Sequence, residues 1–324
     1  MLSLVGLGTK AMTSTNLIER RTQPSTEQAT QSKKHRSLEG VYRPPSLHWV
    51  GDGFRVAGYF SEIPDAVEKL SPFLMLDYHP PYDYAPATRP RGVGVHPHRG
   101  FETVTIAWQG SVAHHDSAGG GGVINPGDAQ WMTAASGVLH KEYHEENFAR
   151  RGGTFQMAQL WVNLPKAHKL DPPRYQAIQG DSFGVFTLPD GAGSVRVLAG
   201  DYRGAKGPAK TFSPMDVYDV KLADKGRVDL DFPSHHNAAL LVMKGDATVN
   251  GTGVTQHDFV VFENDGERVH VQADGETELL VLSGEPIDEP VVQYGPFVMN
   301  TEQEIMDAFR DFSSGKFGQL EDDA

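Results

Sequence analysis

The chain has 324 residues, a formal net charge of −13, no cysteine, 35 glycines and 21 prolines. The acidic balance argues against direct nucleic-acid binding, and the lack of cysteine removes disulfides, thiolate nucleophiles and zinc–thiolate sites. No run of eighteen apolar residues offers a transmembrane helix, so no membrane partner is expected.

The start, MLSLVGLGTKAM, lacks a basic leader and a sustained apolar core. It reads as an extension rather than an export signal, and the expected location is cytoplasmic. Residues 12–38 are polar and without apolar period, a flexible lead-in. From about Val41 short apolar runs alternate with turn residues: FRVAGYF, FLMLDYH, TVTIAWQG, VINPGDAQWM and FQMAQLWVNL. This pattern predicts an antiparallel all-β barrel. The stretch HKLDPPRYQAI, with two prolines, reads as a linker. A second series of strands follows (GVFTL, SVRVLAG, VYDVKL, AALLVMKG, DFVVFE, VHVQA, TELLVLSG), and TEQEIMDAFRDF predicts a helix opened by a Thr301/Glu304 capping box. The halves align weakly, with Gly110 over Gly245, Asp128 over Asp258, and His140 within a residue of His270, as a duplicated barrel would give.

Eight of the 14 histidines fall between His79 and His168. In Gly94-Val-His96-Pro-His98, positions i and i+2 share one strand face, so both imidazoles can meet one ion. Pro97 is tolerable near a strand end. The same spacing recurs in His140-Lys-Glu142. Three nitrogens and a carboxylate suit divalent iron, manganese, nickel, copper or zinc, with two positions left open on an octahedral ion. His114 and His115 read as an exposed turn, His144 as a residue behind the same cavity, and His79 as one approaching its mouth. His235, His236 and His270 stand as candidate remnants of a second site, but no carboxylate completes them at matching spacing, so the second barrel reads as empty. The run Gly119–Gly122 reads as a flexible loop, because no Gly-Lys-Ser/Thr follows to make a phosphate loop. No nucleophile motif is present, and nothing at triad spacing joins Ser136 to His140.

HPHRGFETV resembles the first cupin motif, and NPGDAQWMTAASGVLHKE is similar to the pirin form of the second. QLWVNLP and YGPFVMNT also resemble pirin signatures. The resemblance to the pirin family runs from about Leu47 to Phe312. It implies two cupin barrels in tandem: a flexible extension over 1–40, a metal-binding barrel over 41–170, a barrel without metal over 171–290, and a segment with a helix over 291–324 that braces the first barrel. It implies metal ligands at His96, His98, His140 and Glu142, with Fe(II) the first expectation and Mn, Ni, Cu and Zn the alternatives. General cupins would nominate Glu102 instead of Glu142.

The resemblance also implies a dioxygenase acting on flavonols such as quercetin, whose hydroxyl and carbonyl would chelate the metal beside dioxygen. Glu142, or failing that Glu102, would take the hydroxyl proton. Phe101, Trp131, Met132 and Trp161 would wall an apolar pocket or serve as plain core. The alternative is a metal-containing regulatory protein with a transcription factor or metabolic enzyme as partner. A sugar-type isomerase fits less well, because only Arg91 and Arg99 flank the histidines with positive charge.

Overall fold

In the computed structural model of the chain, residues 33–322 are described. The first barrel is made of two antiparallel sheets. Seven strands form the larger sheet, in the order Arg174–Ile178, Ala129–Thr133, Phe101–Gln109, Gly153–Asn163, Phe73–Tyr84, Phe54–Gly58 and His48–Val50. Facing it are Gly92–His98, Val138–His144, Val112–Asp116 and Gly121–Ile124. Side chains alternate across each strand, so each sheet has one face inside the barrel. Phe101, Thr103 and Thr105 point inward, whereas Val104 and Ile106 point out, into a core shared with the second barrel.

The second barrel repeats this plan. Its larger sheet runs Leu38–Tyr42, Phe259–Phe262, Asn237–Lys244, Thr277–Gly284, Met215–Leu222, Gly193–Ala199 and Gly184–Leu188, and its smaller sheet is Arg227–Asp231, Arg268–Ala273, Ala247–Val249 and Thr252–Val254. The alignment read from the sequence matches equivalent turns. Gly110 and Gly245 both sit at φ +76°, where glycine is favoured. Asp128 and Asp258 each accept a backbone N–H three residues back, from Asn125 and Thr255. The two larger sheets pack face to face through Leu76, Trp131 and Leu160 on one side and Leu241, Phe259 and Leu282 on the other. Burying such side chains stabilises by roughly 1.5–3 kcal/mol each.

Three local expectations are corrected. Of the flexible extension expected over 1–40, residues 1–32 lie outside the described residues, but 33–40 is not a loose tail. Arg36 is buried, and its guanidinium donates to the carbonyls of His236 and Pro233. The adjoining Leu38–Tyr42 completes the second barrel's sheet rather than opening the first barrel. The linker after Asp171 becomes a strand, Arg174–Ile178, on the edge of the first barrel. Gly121 and Gly122 likewise pair with His115 and His114, so only part of the glycine run is a turn.

The helix expected near residue 301 spans Glu302–Ser313, with Thr301 Oγ1 accepting from Glu304 N as its cap. Two short helices, Ala66–Leu70 and Glu146–Arg151, were not expected. The C-terminal segment returns to the first barrel. Arg99 donates to Asp311 at 2.9 Å, Tyr143 Oη to Asp322 at 2.7 Å, and Lys141 Nζ to the Glu321 carbonyl at 2.7 Å. Tyr143 and Lys141 alternate with His140 and Glu142, so the tail lies against the outer face of the strand that carries those two residues. Among the described residues, no helix is long and apolar enough to cross a membrane.

Candidate metal centre

His96 and His140 are cross-strand partners, and His98 lies two residues on. Their side chains therefore meet on the inner face of the smaller sheet. The three rings stand 4.2–4.9 Å apart, centroid to centroid. One ligand nitrogen from each lies within 4.8 Å of the others. Every Nδ1 is engaged elsewhere: that of His96 with Gly94 O at 2.8 Å, that of His98 with Pro296 O at 3.4 Å, and that of His140 with His114 Nε2 at 2.9 Å. That leaves Nε2 of each ring as the nitrogen free to bind an ion. His140 Nε2 is buried without a hydrogen-bond partner in the protein, an arrangement that costs stability unless something binds there. Burial, reinforced by the neighbouring imidazoles, holds His98 and His140 well below the ordinary histidine pKa. They are neutral and present lone pairs, the form a divalent ion requires. This donor set fits a metal.

Glu142 projects from the same strand face as His140. Its carboxylate falls in a second group with His140 and His114, also within 4.8 Å. The larger sheet draws it with three donors: Thr105 Oγ1 at 3.1 Å and Gln130 Nε2 at 3.5 Å on Oε1, and Gln159 Nε2 at 2.8 Å on Oε2. Burial raises its pKa, partly offset by His96 and these hydrogen bonds. His114, read from sequence as exposed, is fully buried. The register explains the error, because His114 sits opposite Glu142 and faces inward while His115 faces out. Its ring stacks on Tyr175 at 5.3 Å. The local signal was the alternation Val112, His114, Asp116 against Ala113, His115.

Glu102 is not at the site. It shares a strand with Thr105 at odd separation, so it points to the opposite face, where Thr133 Oγ1 donates to it at 2.7 Å. Burial pushes its carboxyl up to about 7, but it faces away from the histidines. Trp131 likewise belongs to the core between the barrels. Phe101 and Trp161 do line the inside, 5.0 and 5.2 Å from the His98 ring. Met132 packs with Ala134 and Val138. His79 and His144 lie deeper, engaging Tyr84 Oη and Gly53 O at 2.9 Å each. In the second barrel, His270 pairs with Asp229 at 2.7 Å. It faces away from that barrel's interior, which Val228, Leu230, Val269 and Val271 fill.

A narrow cavity of about 40 Å³ reaches the site beside His96 and Glu142. Val50, Phe54, Val56, Val93 and Met157 form its apolar wall, and Asp77 and Gln159 add polar groups.

Comparison with known proteins fits this picture. Residues 53–162 match the pirin family model, and residues 217–318 match the pirin C-terminal cupin domain. A Pseudomonas aeruginosa protein provisionally named quercetin 2,3-dioxygenase is 50% identical over 278 residues, covering 86% of this chain and 97% of that protein. A pirin-like protein of Solanum lycopersicum is 38% identical over 256 residues, covering 78% and 84%. A crystal structure of quercetin 2,3-dioxygenase from Acinetobacter baumannii superposes with a TM-score of 0.85 at 46% identity, covering 89% of this chain and all of that one.

Proposed function

The chain belongs to the pirin family, and from that premise we propose that it is a metal-dependent dioxygenase of flavonol-like substrates, acting in the cytoplasm. His96, His98, His140 and Glu142 hold the metal in this reading, and Fe(II) is the ion we assign. The observation that carries it is the convergence of three inward imidazoles, with every Nδ1 engaged and His140 Nε2 orphaned, beside a cavity. The relatives named for quercetin dioxygenation support the substrate class.

When bound, the metal supplies a Lewis acid and a meeting point for a chelating hydroxyl–carbonyl edge and dioxygen. The protein supplies the rest. Gln159 and Thr105 orient Glu142, His114 orients His140, and the wall around Phe54 and Met157 excludes bulk water.

A specific observation favours a second reading. The cavity, about 40 Å³, has room for dioxygen or a few waters. It is far below the roughly 300–1,000 Å³ of pockets that enclose drug-sized ligands. A flavonol therefore enters edge-first or displaces the wall. A regulatory protein that carries a metal and binds a transcription factor or metabolic enzyme would need no such opening.

The test loads metal-free protein with ferrous iron without air, adds quercetin, then admits oxygen and follows loss of the flavonol absorbance, with His98→Ala as control. Iron-dependent turnover that vanishes in the variant is the expected result. Stoichiometric binding of divalent metals without turnover would favour the regulatory reading.

A further inference from the structure

With Glu102 turned away, two carboxylates line the cavity: Glu142 and Asp77. Asp77 belongs to the strand Phe73–Tyr84. Its neighbours Leu76 and Tyr78 enter the core between the barrels, so Asp77 points to the inside. It pairs across strands with Gln159, whose amide holds Glu142 Oε2 at 2.8 Å.

The two carboxylates are placed differently. Glu142 lies beside His140 and His114 and takes its hydrogen bonds from the opposite sheet. Asp77 is half-buried, and among the described residues no donor hydrogen-bonds to it. Burial raises its affinity for a proton, offset in part by His48. On its far side the bare Cα of Gly58 keeps a gap. A side-chain carbon there would stand 3.1 Å from Asp77 Oδ1 and 3.6 Å from Cε1 of the exposed His48. Asp77 thus lies between the cavity and a solvent-facing imidazole.

We propose that Asp77 is the general base that takes the substrate's hydroxyl proton, leaving Glu142 on the metal throughout. This rests on the dioxygenase reading above. The substrate O–H bond breaks, its electron pair stays on the substrate oxygen, and the proton bonds to an Asp77 carboxylate oxygen. The proton later leaves to the product or to water on the His48 side. A carboxylate kept as metal ligand would have to leave the metal to do this work, whereas Asp77 needs no such exchange.

The test compares iron-loaded wild type, Asp77→Asn and Asp77→Glu. Without oxygen, quercetin is added at neutral pH and its absorbance is recorded, because deprotonation moves the flavonol band to longer wavelength. Iron content is measured in parallel, and turnover follows on admitting oxygen. Wild type is expected to shift the band. Asp77→Asn is expected to keep its iron, lose the shift and lose about 100-fold in kcat, the low end of what a positioned base contributes. Asp77→Glu is expected to recover part of both. An Asp77→Asn protein with the full shift and turnover within about twofold of wild type would overturn the proposal and leave the dioxygenase reading standing. Loss of iron in Asp77→Asn would also overturn it, assigning the residue to building the site. Absence of shift and turnover in wild type would overturn both.

Discussion

His140 Nδ1 lies 2.9 Å from His114 Nε2, and both imidazoles are fully buried. If His140 offers Nε2 to a metal, its proton sits on Nδ1 and His114 Nε2 accepts it, which fixes tautomer and ring orientation together. Replacing His114 by Leu removes that acceptor. We predict a loss of about 10–100-fold in metal affinity, the usual effect of losing such support, measured by chelator competition. His114→Gln, which keeps an acceptor, should lose less.

The two candidate glutamates should separate cleanly. Glu142 shares a strand face with His140 and lies near it, while Glu102 bonds Thr133 on the far side of the larger sheet. Glu142→Gln is expected to bind substoichiometric metal, and Glu102→Gln to bind the wild-type amount. Elemental analysis after dialysis measures both, and the reverse pattern would remove Glu142 from the ligand set.

Lys169 is a buried brace beneath the site. Its ammonium donates to Gly100 O at 2.7 Å, Asn163 Oδ1 at 2.6 Å and Val298 O at 3.0 Å. Gly100 sits at φ +88° with Val298 O where a side chain would stand, so the turn after His98 depends on this clamp. Desolvation lowers the amine's pKa to about 7, but three acceptors and no donor are what an ammonium satisfies. Lys169→Met strands all three and should cost on the order of 3 kcal/mol. Thermal or urea denaturation would show it.

Acid should destabilise the metal-free protein through its buried histidines. Burial lowers His144 from 6.5 to about 4 and lowers His79 as well. The folded state keeps these rings neutral where the unfolded chain protonates. Their contribution is complete above about pH 6.5 and declines as pH falls to about 4 for His144, by up to ~1.4 kcal/mol per pH unit per group. Glu102 acts oppositely, because burial raises it from 4.5 to about 7 and its contribution is lost as pH rises through that range. The informative quantity is therefore a difference. His144→Phe should show a smaller loss of stability than wild type between pH 6.5 and 4, and equal slopes would refute the assignment.

Much of this protein is legible in its sequence because the governing signals are local. Alternation marked the strands, His-x-His and His-x-Glu marked shared faces, and Thr301 with Glu304 marked the helix start. What was missed depends on register or parity across turns. The Arg99–Gly100 turn separates His98 from Glu102, so counting residues could not show that Glu102 faces outward. His114 reaches the candidate site only because it pairs opposite Glu142, a contact set by sheet register. Asp77 was hidden in an apolar run where nothing distinguished the inner face from the outer. Leu38–Tyr42 completes a sheet with residues more than two hundred positions away, which no local pattern reveals.

The most direct test of the central claim is a crystal structure of the iron-loaded protein, with anomalous data collected at the iron edge. One peak is expected within bonding distance of Nε2 of His96, His98 and His140 and of a Glu142 carboxylate oxygen. A peak elsewhere, or none at these imidazoles in a protein that binds iron stoichiometrically, would contradict it.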